Sequence, residues 1–229
     1  MSIEKYKLQL DILRKEFPIG IRQGLLILKE VEGDIQKARK LFQQKSIEVI
    51  LQKVDINHDM ALQNLIENNF SMPETLESIN NKRFTLTERI LRKNKNNKLK
   101  ALSRIALAIE DVEKLERNFW LSFSELDKLN RLGSISEKVI CFMVVNEWLD
   151  YVEWESFDSA VYFHLEYVIY QIETYLSLPV LVSILNNAKE NSSNINEISQ
   201  IEAKFELEKP LLISALYNFV ESNIEYFPK

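Results

Sequence analysis

Cysteine, glycine and proline are scarce in this 229-residue chain: there is one cysteine, four glycines and five prolines. A single Cys141 excludes an intrachain disulfide, and its setting in the apolar run VICFMVV marks it as a buried, inert thiol. So few glycines and prolines, in a sequence rich in Leu, Ile, Lys, Glu and Asn, leave little material for turns and strands and point to helices almost throughout. No apolar run reaches the roughly 18 residues of a membrane span, and the N-terminus MSIEKYKLQLDILRKEF is charged and amphipathic where a secretory leader would be apolar. The expected location is the cytoplasm, with no membrane contact.

Chemistry-bearing residues are equally sparse. The two histidines, His58 and His164, have no nucleophile motif beside them, and a general acid or base needs a positioned partner and a pocket. Glu147, Asp150, Glu166 and Glu173 could face one another between helices, but carboxylate-bridged metal sites in bundles use Glu-x-x-His pairs, which this chain lacks. There is no phosphate-binding loop and no glycine-rich dinucleotide fingerprint. The expectation is a protein that is not an enzyme, with no catalytic residues, no cofactor and no metal.

What the chain does have is an uneven distribution of charge. The net charge is −5, yet residues 1–81 hold 11 Lys+Arg and 12 Asp+Glu, residues 82–104 hold 9 and 1, and residues 105–229 hold 9 and 21, so the three stretches carry −1, +8 and −12. A basic hinge separates a near-neutral third from an acidic half, and an acidic surface repels phosphates and favours a basic protein partner.

Helical spacing gives the layout. A first helix is expected over 3–16 (Tyr6, Leu8, Ile12, Leu13), a second over 20–31 (Ile21, Leu25, Leu28), and a third from the N-cap Asp34 with Ile35, Ala38, Leu41 and Phe42. Gly20, Gly33 and Asp34 define the turns of this unit, residues 1–50. The same plan recurs from Asn57, with a helix ending at Asn68-Asn69, one opening at Ser71 and one at Thr85 with Glu88 three residues on, giving a second three-helix module over 55–97. From Leu99 the apolar positions step by three or four to Leu129, a long amphipathic helix to residue 131 broken at Gly133-Ser134. Further helices are expected at 137–151, 157–176, 178–190, 195–207 and 209–225, completing an acidic bundle over 98–229. The fold class is therefore all-α, one or two small three-helix modules followed by a helical bundle.

Leu13-Arg14, Gly20, Gly33-Asp34, Ile35, Lys37-Ala38 and Leu41 stand in the register of the N-terminal domain of elongation factor Ts, and residues 8–43 resemble that ubiquitin-associated (UBA)-like module. The resemblance implies a three-helix fold and docking on elongation factor Tu. Phe17-Pro18-Ile19-Gly20 replaces the family's Thr-Gly-Ala-Gly turn, and Leu25-Leu26-Ile27-Leu28 stands where a lysine pair is usual. The Thr-Asp-Phe-Val segment on which nucleotide exchange depends is missing, so exchange activity is not expected.

Two stretches remain as candidate interfaces. In the basic hinge, Arg89, Arg92 and Lys93 share part of a helix face and are the residues expected to touch nucleic acid; the lack of interleaved aromatics apart from Phe84 ranks nucleic acid below a protein partner. Between 147 and 173 there is no Lys or Arg, and carboxylates alternate with aromatics. Glu147, Asp150, Tyr151, Glu153, Trp154, Glu155, Asp158 and Glu166 are the expected partner-binding residues: aromatic anchors in a field that steers a cationic partner. The function expected from this is a non-catalytic inhibitor or immunity-type protein whose partner is a basic toxin or nuclease. The alternatives are a translation accessory protein binding elongation factor Tu, and a nucleic-acid-binding regulator. Oligomeric state is not legible in the sequence.

Overall fold

The computed structural model describes residues 3–113 and 135–229, and among them every regular element is a helix. The chain divides into two compact units, Met1–Arg83 and Phe84–Lys229.

The first unit holds α1 (Lys7–Glu16), α2 (Ile21–Glu30), α3 (Ile35–Lys53), α4 (His58–Glu67) and α5 (Met72–Arg83). The 19-residue α3 serves two cores. Its first half buries Ala38 and Phe42 with Leu10, Leu13, Phe17, Leu25, Ile27 and Leu28, and its second half buries Ile47 and Ile50 with Ala61, Leu65 and Ile79. Phe70 packs against both clusters, its ring edge-on to Phe17 at 4.8 Å. Leu8 and Ile21, two of the positions that mark the helical spacing, are 71% and 49% exposed. Leu10 and Ile27 are buried in these helices instead.

The two cores are copies of one design offset by 37 residue numbers. The amide of Ile19 bonds Phe17 O at 2.8 Å, as that of Ile56 bonds Val54 O at 3.0 Å. Helices α2 and α4 close identically: Gly33 N bonds Leu28 O at 2.7 Å and Phe70 N bonds Leu65 O at 2.8 Å, the six-to-one bond of a Schellman cap. That cap needs left-handed backbone, seen at Glu32 (φ 55°) and Gly33 (φ 87°), and again at Asn69 (φ 49°) and Phe70 (φ 61°). Asp34 then caps α3 by accepting from Lys37 N at 3.0 Å. Gly20 is different. It has an ordinary extended φ of −70°, and its counterpart is Asn57, so that turn does not require glycine.

The repeat is thus present, but with other boundaries than 55–97. Its third helix is α5, and its first is the second half of α3. Helix α6 (Leu86–Lys93) opens with the expected capping box, Glu88 N to Thr85 Oγ1 at 3.2 Å and Thr85 N to Glu88 Oε2 at 2.6 Å. It belongs to the second unit, where Thr87 Oγ1 donates to Pro228 O at 2.9 Å and Leu91 enters the core. The division between units therefore falls at 83/84 and not at 97/98.

In the second unit α6 is followed by α7 (Lys98–Glu113), α8 (Glu137–Trp154), the short α9 (Phe157–Ala160), α10 (Leu165–Gln171) with a π turn Ile172–Leu176, α11 (Pro179–Glu190) and α12 (Ile195–Ser222). The expected continuation of α7 to residue 131 and the break at Gly133-Ser134 lie outside the described residues. Every residue from Val139 to Leu149 is buried, so α8 is the central rod of this unit, apolar there except at Asn146 and Glu147. Trp148 is fully enclosed, its Nε1 donating to Ala160 O at 3.0 Å and its ring edge-on to Phe205 at 5.5 Å. The single helix expected over 157–176 is interrupted at 161–164, where His164 is left-handed (φ 48°). The interruption lets Phe157 and Ala160 on one side, and Leu165 and Val168 on the other, all enter the core. Conversely the break expected before 209 is absent. Helix α12 runs through Pro210, at a cost of about 3 kcal/mol for the lost amide and ring clash, because Ile201 and Phe205 before it and Leu212, Leu216 and Val220 after it are all buried.

Candidate functional site: an acidic and aromatic groove

Helices α7 and α8 enclose a groove of about 490 Å³. Ser103, Ala106, Leu107 and Glu110 form one wall, and Met143, Asn146, Glu147, Asp150, Tyr151, Trp154 and Glu155 the other. Five of the eight residues expected at an interface meet here: Glu147, Asp150, Tyr151, Trp154 and Glu155. Helical spacing explains the grouping, since 143, 147, 150 and 154 succeed one another by three or four along one face of α8. Among the described residues no lysine or arginine lines the groove.

Depth separates these residues. Glu147 is 9% exposed and Asn146 2%, whereas Trp154 at the end of α8 is 85% exposed. Asn146 Nδ2 donates to Asp150 Oδ2 at 3.1 Å. Burial raises the Asp150 pKa above the ordinary carboxylate range, against that hydrogen bond and assisted by the Glu153 charge. The Tyr151 ring lies 4.2 Å from that of Phe163.

The other three expected residues are engaged elsewhere. Glu153 pairs with Lys209 of α12, which also binds Glu206 at 3.1 Å. Asp158 accepts from Ser156 Oγ and, at 2.9 Å, from its neighbour Ser159 N, a local turn that holds its carboxyl below the usual range. Glu166 is bridged to Lys189 at 2.5 Å. Among the aromatics, Trp148 is core, while Tyr162 spends its hydroxyl on Ser192 O at 2.7 Å.

In the basic segment Arg92 stacks on Phe84 at 4.2 Å and Arg89 Nε reaches Thr85 O at 3.4 Å, so both guanidinium groups are engaged by the residues just before α6, while Lys93 is exposed. His58 is exposed beside Asp59, its Nδ1 3.7 Å away. His164 is the left-handed residue before α10. Among the described residues there is no group of three or more His, Cys, Asp or Glu that could hold a metal, and no helix long and apolar enough to cross a membrane. A wider, shallower depression of about 970 Å³ lies along α11 and α12, lined by Glu173, Asn186, Asn187 and Lys204 among others. The sequence reading missed Asn146, Glu110 and Leu107; Asn146 had a signal, as the one amide in the run VICFMVVN.

Comparison with known proteins places the chain. Residues 85–225 match the model of the YfbN C-terminal domain. Over 232 aligned residues the chain is 32% identical to the Escherichia coli (strain K12) protein whose printed name is "Uncharacterized protein YfbN", covering 94% of this chain and 93% of that one. The chain belongs to the YfbN family. No solved structure matches it.

Proposed function

We propose that this member of the YfbN family is a non-catalytic protein-binding protein whose acidic helical unit docks on a basic partner and blocks it, as an immunity protein or inhibitor blocks a nuclease-type toxin. The observation that carries this reading is the α7–α8 groove, whose described lining holds four carboxylates, two exposed or half-exposed aromatics at its mouth and no basic residue. Aromatic anchors within complementary charge are what tight interfaces use, and the charge speeds encounter with a cationic surface. A cytoplasmic setting, with a free buried Cys141, accords with this role. The test is capture from the native cytoplasm by the tagged full chain and by its Trp154→Ala and Glu155→Lys variants, read by mass spectrometry. A basic protein held by the parent and lost by both variants, with salt-dependent affinity, supports the reading; an identical set of captured proteins for all three overturns it.

A second reading has its own observation. In the first unit Leu8, Ile21 and Leu26 are 71%, 49% and 55% exposed on a three-helix core whose Gly33 turn and Asp34 cap agree with the elongation factor Ts-like, UBA-like register. This supports a module that binds elongation factor Tu through residues 3–43. Absence of binding between the full chain and purified elongation factor Tu at about 50 μM removes it. Nucleic acid ranks lower, because Arg89 and Arg92 are engaged by Thr85 and Phe84 at the start of α6.

A further inference from the structure

Resting on the basic-partner reading, we infer that the α7–α8 groove is a receptor for an arginine side chain presented by that partner, with Asn146 and Asp150 as the acceptors at its floor and Trp154 as the stacking face at its mouth.

The floor carries the argument. Asn146 is 98% enclosed by its surroundings, its residue exposure being 2%, and its Oδ1 has no hydrogen-bond partner among the described residues. Because its Nδ2 is committed to Asp150 Oδ2 at 3.1 Å, the amide is oriented and the carbonyl oxygen is the half left over. A buried acceptor without a donor is a standing cost that a ligand donor would relieve. Asn146 lines the groove together with Asp150 one turn on, so an entering group meets a neutral acceptor and a carboxylate side by side. Burial has already made that carboxylate reluctant to ionise, the state a bound cation would reverse.

Two features select arginine over lysine. A guanidinium offers five N–H donors in a planar fork, which can divide between Asn146 Oδ1 and the Asp150 carboxylate, while an ammonium is a compact, strongly hydrated point charge. A guanidinium also stacks on aromatic faces with less loss of hydration, and Trp154, 85% exposed, together with Tyr151 provides such faces on the same wall. The groove's volume of about 490 Å³ is in the range of sites that take one extended side chain or small ligand.

The experiment titrates the full chain with hexa-arginine and hexa-lysine peptides, by calorimetry and by tryptophan fluorescence. Hexa-arginine is expected to bind at least about tenfold more tightly than hexa-lysine, and Asp150→Asn and Trp154→Ala each to lower the hexa-arginine affinity by about tenfold. Glu197→Gln and Glu202→Gln, changes to carboxylates on α12, should leave it within about twofold, and circular dichroism confirms that all variants fold. Equal affinity for the two peptides, or an unchanged Asp150→Asn titration, overturns the inference. Should that happen while the captured basic protein is still lost on Trp154→Ala, only the arginine assignment falls and the partner reading stands.

Discussion

Glu30 and Glu67 do the same work 37 residues apart: Lys45 Nζ donates to Glu30 and Lys82 Nζ to Glu67, each at 2.6 Å. The lysines are spaced by the same 37, so the repeat of the first unit extends beyond backbone turns to a side-chain pair in register. Buried positions follow it as well, Leu28 with Leu65 and Phe42 with Ile79. Each repeat buries its apolar face by sharing α3 with the other, the economy of stacked helical repeats.

Gly33→Ala should destabilise the first unit by about 1–2 kcal/mol. The backbone there is left-handed at φ +87°, and a methyl would stand 2.9 Å from Tyr6 Cε1. Gly20→Ala, where nothing lies within 4 Å of the added carbon, should cost no more than about 1 kcal/mol. Urea denaturation of both variants measures the contrast, and equal midpoints would contradict it.

Trp148 separates a hydrogen bond from packing. Trp148→Phe removes the donor to Ala160 O and should cost about 1–2 kcal/mol, while Trp148→Ala opens a cavity against Phe157 and Phe205 and should cost about 3–5 kcal/mol. Thermal unfolding of the two variants gives the order, which a milder effect for alanine would refute.

Asp150 makes stability depend on pH. Its pKa in the fold is raised, so its favourable contribution is present below the ordinary carboxylate range and is lost as pH rises through the raised value. Asp150→Asn should therefore gain in Tm relative to the parent at pH 7 and lose that advantage near pH 4. Parallel Tm curves from pH 4 to 8 would show that the carboxyl is not perturbed.

Cys141 should be silent to thiol reagents in the folded protein. Burial removes access and pushes the thiol up to about 12, so almost no thiolate exists at neutral pH. Labelling with a disulfide reagent should be at least about a hundredfold slower in buffer than in denaturant, and prompt stoichiometric labelling of the native chain would count against the enclosed core.

The acidic segment shows where sequence reading reaches its limit. The interleaving of carboxylates and aromatics singled out Glu147, Asp150 and Trp154, and the helix sets them on one face because residues three and four apart share a side. It could not separate Glu155, which joins the groove, from Glu153, which is taken by Lys209 56 positions later. It could not tell that Trp148 is core and Trp154 exposed either, since both occur in the same acidic and aromatic pattern. Asp158 and Glu166 lie outside the groove for the same reason: their partners, the turn at Ser156 and Lys189, are chosen by how the chain folds back.

The sequence by itself determined that the chain is helical, where Asp34 and Thr85 begin helices, and that the charge divides into neutral, basic and acidic stretches. These follow from composition and from contacts spanning three or four residues. Only the tertiary structure decided that α3 is shared between two repeats, that α6 joins the second unit, that α12 passes through Pro210, and that Asn146 has an oxygen without a partner among the described residues on the floor of a groove. Each of these depends on burial against residues distant in the chain, and burial is strong enough to override a local breaker or a local charge preference.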